Sequence, residues 1–153
     1  MLAIQLDSAA VKTFMGQILR EDIFDAFEVR SIDISVATRI NIDGLLEAEP
    51  EEDKKPEFAT WEAMRPLVLG IIKASPKPKY VKIVFSYKAE NTCEIHQNAA
   101  ALFLNMAYEN DAVTFTTGVS QREFVLDKSL DTNWDEWVRS FFAKLGLQIS
   151  DRE

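Results

Sequence analysis

The sequence is poor in the residues that cross-link small secreted proteins and in those that bind transition metals. Its 153 residues include one cysteine, Cys93, and one histidine, His96. A single cysteine cannot form an internal disulfide, so packing and hydrogen bonding have to stabilise the fold. This composition is typical of intracellular proteins, and we expect a cytoplasmic location.

Long hydrophobic runs are also missing. The run at residues 67–72 is six residues long and no other is longer, whereas a helix needs about 20 apolar residues to cross a bilayer. The N-terminal residues carry no basic group and are followed by Asp7, which differs from the pattern of a signal peptide. We therefore expect neither a membrane span nor an export signal.

Basic residues are outnumbered, with 17 Lys and Arg against 25 Asp and Glu and a net charge of −8. Such a chain repels phosphates and anionic membrane surfaces, so a nucleic-acid role is unfavourable. The length and the 47% hydrophobic content predict a single globular domain over residues 1–153. Within it, the acidic segment 47–57 is expected to be a mobile loop.

The first part of the chain predicts a strand, a helix and a hairpin. After a short strand at 1–6, Asp7 or Ser8 can cap a helix that ends near Arg20. Its apolar residues fall on one stripe, formed by Val11, Phe14, Met15, Ile18 and Leu19. From Phe27 onward the sequence alternates between apolar and polar residues, which predicts β-structure. Val36 and Ile40 are four residues apart, so their side chains lie on the same face of the sheet both in one long strand and in a hairpin with the loop 37–39. We favour the hairpin.

The second part predicts a helix capped by Thr60, with a kink or restart at Pro66, and then the clearest strand, at 80–88. Residues 102–115 form a hairpin around Asn110–Asp111. We expect this run to break at Gly118–Gln121 and a short strand to follow at 124–126.

The last predicted helix begins with a capping-box-like pair, Thr132 and Asp135, and ends at Gly146. Its apolar stripe is formed by Trp134, Trp137, Val138, Phe141, Phe142 and Leu145. The element order lacks a regular βαβ alternation. We therefore predict an α+β fold: a mainly antiparallel sheet of about six or seven strands with three helices packed largely on one face.

Candidate catalytic groups are few. Cys93 and His96 have the spacing C-x-x-H, but no second Cys or His exists to complete a closed zinc site. A Cys–His nucleophile and base also needs an orienting third group and is rarely formed by loop neighbours. We predict no catalytic residue, no metal and no cofactor, and an enzyme is the less favoured class.

A lysine-rich stretch without intervening acids is the one candidate binding feature. It contains Lys73, Lys77, Lys79, Lys82 and Lys88. With Arg65 and the hydroxyl-rich strand end at Thr116, the residues Lys82 and Lys88 could bind a carboxylate or phosphate. The alternative is that these lysines only solvate a strand face or protect an edge strand.

Several short motifs are spread along the chain: Trp61, Met64-Arg65-Pro66-Leu67, Ile71-Ile72-Lys73, Lys82-Ile83-Val84-Phe85, Thr116-Thr117-Gly118, Leu126-Asp127-Lys128 and Trp134-Asp135-Glu136. With these motifs the chain resembles a family of bacterial proteins of about this length, described only as a domain of unknown function. The resemblance implies a cytoplasmic bacterial protein and no assigned activity.

Two functional hypotheses remain open at this point. The first is a non-enzymatic binding or protein-interaction domain, which contacts a protein partner or a second copy through the polar sheet face or an edge strand. The second is a domain that binds a small anionic ligand, or an enzyme acting on a phosphorylated or carboxylated metabolite.

Overall fold

The computed structural model describes residues 1–47, 55–75 and 77–152. The strands are β1 (Ala3–Leu6), β2 (Phe27–Ser35), β3 (Arg39–Asp43), β4 (Tyr80–Tyr87), β5 (Ala99–Glu109), β6 (Ala112–Gln121) and β7 (Ile149–Asp151). The helices are α1 (Val11–Arg20), α2 (Trp61–Lys73) and α3 (Ser129–Lys144), and short 3-10 turns occur at Ser8–Ala10 and Ala89–Glu94.

The strands form one sheet in the order β3-β2-β4-β5-β6-β1-β7, and every neighbouring pair is antiparallel. The α+β prediction with a mainly antiparallel sheet is confirmed. β3 and β7 are the two edges of this sheet among the residues that the structure describes.

All three helices cover the same face of the sheet. Trp61 of α2 packs its ring 5.4 Å from that of Phe85. Phe14 of α1 and Phe142 of α3 lie 5.7 Å and 4.7 Å from Phe115. Phe85 and Phe115 project from the same side, because successive side chains alternate between the two faces of a strand. The opposite face, which carries Lys82, Asn105 and Thr116, is here called the open face.

The last helix packs as its apolar stripe predicts, but it begins earlier. Its buried side chains include Trp134, whose indole N–H donates a hydrogen bond of 2.9 Å to the carbonyl of Phe103. The predicted capping box is wrong, because α3 starts at Ser129 and not at Thr132. Asp135 instead accepts a hydrogen bond from the Thr117 hydroxyl, at 2.6 Å. A local sequence motif cannot indicate this contact, because the partner, Thr117, lies on a strand of the sheet.

Both predicted hairpins are present. β2 and β3 pair with Ser35 opposite Arg39, so the loop covers 36–38, one residue earlier than expected. The β5–β6 turn uses Asn110 and Asp111, whose φ angles of 52° and 59° lie in the left-handed region that these short polar residues tolerate.

Two local predictions are wrong, and one is wrong in part. α2 continues through Pro66, so the predicted restart is absent, whereas the alternative, a kink, stays a prediction. A proline removes one helical hydrogen bond, and the packing of Trp61 and Val68 on the core stabilises the rest. β6 also continues through Gly118, opposite Phe103. The segment 124–126 is not a strand, because the side chain of Gln121 occupies both backbone polar groups of Val125.

The seventh strand, β7, was not predicted from the sequence. It follows α3 and pairs with β1. Most of the segment 47–57 lies outside the described residues, so its predicted mobility stays a prediction. Among the described helices, none has the length and hydropathy required of a membrane span.

We expect Thr117→Val to lower the free energy of unfolding by about 1–3 kcal/mol, because it leaves two polar groups without their partner. The Thr117 side chain is 3% exposed, accepts a 2.8 Å hydrogen bond from the Leu2 N–H and donates to Asp135. Urea unfolding followed by tryptophan fluorescence measures the change.

The matched control is Thr116→Val on the open face, where the hydroxyl accepts one 3.3 Å hydrogen bond from the Asn105 amide. This substitution should stay within about 0.5 kcal/mol of the parent. Equal losses in the two variants would contradict the role given to Thr117.

Candidate functional site

The four residues predicted to bind an anion are not brought together. Arg65 lies on α2, on the helical side of the sheet, where its guanidinium forms a bidentate pair with Asp25 at 2.7 Å and 3.1 Å. The hydrogen bond to Asp25 raises the pKa of Arg65. Its NH1 group also donates to the carbonyl of Arg20, so this arginine joins α2 to the end of α1.

Lys82 and Thr116 lie on the open face, on β4 and β6, with β5 between them. Lys82 is opposite Asp33 on one side and Ala107 on the other. The sheet therefore separates this pair from Arg65. Anion binding by the individual side chains stays a prediction.

Lys88 follows β4 and lines a cleft of about 290 Å³ at the end of the sheet. The same cleft is lined by Glu28, Glu57 and Glu90. Three carboxylates around one ammonium group make this cleft unfavourable for an anion.

The open face also carries Arg30, which sequence reasoning missed because a β-bulge between Val29 and Ser31 changes the register there. Its guanidinium carbon lies 3.9 Å from the ring centroid of Phe58 and 5.3 Å from that of Phe103. Burial lowers the pKa of Arg30. The stacking holds the segment around Phe58 against the sheet, which is a structural role.

His96 and Cys93 also have structural surroundings. The Asn98 N–H donates to His96 Nδ1 at 3.0 Å, so Nε2 carries the proton and donates to the Ser129 hydroxyl at 2.9 Å. The Cys93 sulfur accepts a hydrogen bond from Arg122. Within 1–47, 55–75 and 77–152, no group of three His, Cys, Asp or Glu side chains is arranged to hold a metal ion.

A separate pocket of about 470 Å³ lies between α1, the C-terminal end of α2 and the β5–β6 turn. We call it the α1–α2 pocket. Its lining residues are Ser8, Val11, Lys12, Met15, Leu19, Ile72, Lys77, Pro78, Tyr108 and Asp111.

The apolar wall of the α1–α2 pocket follows from helical geometry. Val11, Met15 and Leu19 are spaced four residues apart on α1 and therefore form one row along the helix. Val11 and Leu19 belong to the hydrophobic core, and Met15 is half-buried against it. Ile72 of α2 and the buried Tyr108 of β5 complete the apolar surface.

A polar network lies beside this wall. The Lys77 ammonium group donates to Asp111 Oδ1, and the Tyr108 hydroxyl donates to the same oxygen at 3.1 Å. These hydrogen bonds, from Lys77 first, hold the pKa of Asp111 below its ordinary value, and the Asp111 carboxylate raises the pKa of Lys77. Burial raises the pKa of Tyr108.

In the described part of the chain, the α1–α2 pocket thus combines an apolar wall with two lysines and one carboxylate. This arrangement suits an amphipathic molecule, whose apolar part contacts the wall while its polar group stays at the rim. The sequence signals for it were present separately, as the row on α1, the lysine stretch that includes Lys77 and the turn residue Asp111. The topology that joins them was missing.

Comparisons with known proteins give a family and no activity. No curated protein and no solved structure matched the chain. The model of the Family of unknown function (DUF5721) matches residues 17–149, which include α2, α3 and most of the sheet. Because this match covers most of the chain, the protein belongs to the Family of unknown function (DUF5721).

Proposed function

We propose that this protein binds a small amphipathic molecule, with an apolar chain or ring and one anionic group, in the α1–α2 pocket. The observation that carries the proposal is the pocket of about 470 Å³ with its apolar wall beside Lys12 and Lys77. Ligand pockets in proteins are commonly about 300–1,000 Å³ and mostly apolar, with a few polar groups that orient the ligand.

The charges favour an anion over a cation. Among the residues that the structure describes, Lys12 and Lys77 line the α1–α2 pocket together with a single carboxylate, that of Asp111. An ammonium group has three donors, so Lys77 can keep its bond to Asp111 and still donate to a bound carboxylate or phosphate. Local positive charge is unusual in a chain of net charge −8.

The role we propose is binding without catalysis. Catalytic side chains usually have pKa values shifted toward neutrality. The pKa values of the rim groups are shifted away from neutrality, since those of Lys77 and Tyr108 are raised and that of Asp111 is lowered. None of the three is thereby made a better base or nucleophile at neutral pH.

The proposal includes a single domain over residues 1–153 and a cytoplasmic location, for which the single cysteine is the support. The alternative remains an anion site at Arg65, Lys82, Lys88 or Thr116. The separation of these side chains makes a joint site less favourable than the α1–α2 pocket.

Filling the α1–α2 pocket should abolish binding. With octanoate as the probe, we expect Met15→Trp to weaken binding at least about tenfold, because the indole occupies the space of the alkyl chain. Isothermal calorimetry measures the affinity, and circular dichroism checks that the variant is folded.

Met15→Leu, which nearly conserves side-chain volume, should bind octanoate as the parent does. A parent protein that does not bind octanoate, or a Met15→Trp variant with full affinity, would contradict the proposed site.

The sign of the charge gives a second prediction. Lys12→Met and Lys77→Met should weaken octanoate binding, whereas Asp111→Asn should strengthen it, because that substitution removes the negative charge from the rim. Thermal shift and calorimetry both report the change.

Lys82→Met on the open face serves as the control and should have no effect. Octanol and octyltrimethylammonium carry the same chain without the negative charge. Binding of either compound as tightly as octanoate would contradict the selection of an anion by the two lysines.

A further inference from the structure

The edge strand β3 is the longer of the two sheet edges in the described chain. It covers Arg39–Asp43, whereas β7 at the opposite edge covers only Ile149–Asp151. β3 pairs with β2 over its whole length without a register shift. Natural edge strands are often shortened, bulged or interrupted by proline to prevent pairing with another chain. β3 has neither a bulge nor a proline.

The hydrogen-bonding groups that β3 presents outward can be identified. The Gly44 N–H donates to the Arg30 carbonyl, and the Val36 N–H donates to the Thr38 carbonyl. Arg30 with Gly44 and Val36 with Thr38 are thus hydrogen-bonded pairs. In an antiparallel ladder every second pair of opposite residues is hydrogen-bonded, so Ile40 and Ile42 direct their backbone groups toward β2. Arg39, Asn41 and Asp43 therefore direct their N–H and C=O groups away from the sheet.

The side chains of β3 are self-complementary about Asn41. If a second β3 pairs antiparallel around a two-fold axis at Asn41, Arg39 lies opposite Asp43 of the other copy. Ile40 then lies opposite Ile42, and Asn41 opposite itself. The outward-facing positions meet one another in this register, so all of their backbone donors and acceptors find partners.

The two faces of the joined sheet also match. Ile40 and Ile42 are half-buried and continue the core row of Ile34 and Ile32, with which they pair on β2. Arg39, Asn41 and Asp43 are exposed. Opposite charges directly across a strand pair are stabilising, and β-branched residues pack well there.

We infer that the protein forms a two-fold symmetric homodimer in which the β3 strands of two copies join their sheets into one continuous sheet. The partner is a second copy of this chain, because β3 itself supplies both Asp43 opposite Arg39 and Arg39 opposite Asp43. The contact is independent of the α1–α2 pocket, so failure of either proposal leaves the other intact.

A charge swap tests the pairing. In sedimentation experiments over a range of concentrations, the parent chain should form a dimer, and Arg39→Asp should weaken it at least about tenfold by placing two carboxylates opposite each other. The double variant Arg39→Asp with Asp43→Arg should restore dimerisation. A monomeric parent, or a dimer that is equally stable in all variants, would overturn the inference.

A cross-link tests the register independently, since Asp43 also accepts a local hydrogen bond from the Leu45 N–H and its replacement affects the turn. In a Cys93→Ser background, Asn41→Cys should oxidise to a disulfide-linked dimer. Residues facing each other in a bonded antiparallel pair have Cα atoms about 5.5 Å apart, within the range for a disulfide of about 4.4–6.8 Å.

Arg39→Cys in the same background is the matched control, because it lies on the same face of β3. The two introduced thiols would be offset by four residues, about 14 Å along the strands, and should not form a disulfide. Cross-linking of both variants alike, or of neither, would contradict the two-fold axis at Asn41.

Discussion

The aromatic layer around Phe24 and Phe85, on which Trp61 of α2 also packs, holds the three helices on one face of the sheet. The Phe24 ring lies 5.0 Å from Phe85 of the sheet, 5.8 Å from Phe14 of α1 and 5.4 Å from Phe141 of α3. It is fully buried, and burying each such ring contributes about 1.5–3 kcal/mol. Because the apolar side chains are collected on this side, the open face can stay polar.

The α1–α2 pocket and the β3 edge both lie at the margins of this aromatic layer. Val11, Leu19 and Tyr108, at 6%, 8% and 7% exposure, are among the less completely buried members of the core, and they form the wall of the α1–α2 pocket. Ile40 and Ile42 are half-buried beside the core at the β3 edge. A one-sided sheet has a core that thins toward its borders, and the apolar surface left there is available for a ligand or a second chain.

The class of the fold could be predicted from the sequence because it depends on periodicity. The alternation in β4, the polar turn at Asn110–Asp111 and the aromatic stripe of α3 are local patterns, and the structure confirms them. The errors occurred where a specific side-chain hydrogen bond decides the local structure, because apolar periodicity does not show such a bond. Gln121 keeps Val125 out of a strand, and Thr117 makes Asp135 a sheet contact instead of a cap.

The same distinction applies to the site. Arg65 and the lysines were grouped by their charge and nearness in sequence, yet the sheet separates Arg65 from Lys82 and Thr116. The α1–α2 pocket joins residues near 11, 72 and 108, which only the packing of α1 and α2 beside the β5–β6 turn brings together. A pattern within one element could indicate each wall, but no local pattern indicates the space between them.

An NMR titration of the uniformly ¹⁵N-labelled protein with octanoate tests the central claim most directly, because it reports the location of binding without any substitution. The account predicts shift changes concentrated in α1, the end of α2 and the β5–β6 turn, with the open face unchanged. Changes centred on Lys82 and Thr116, or no saturable change at all, would contradict it.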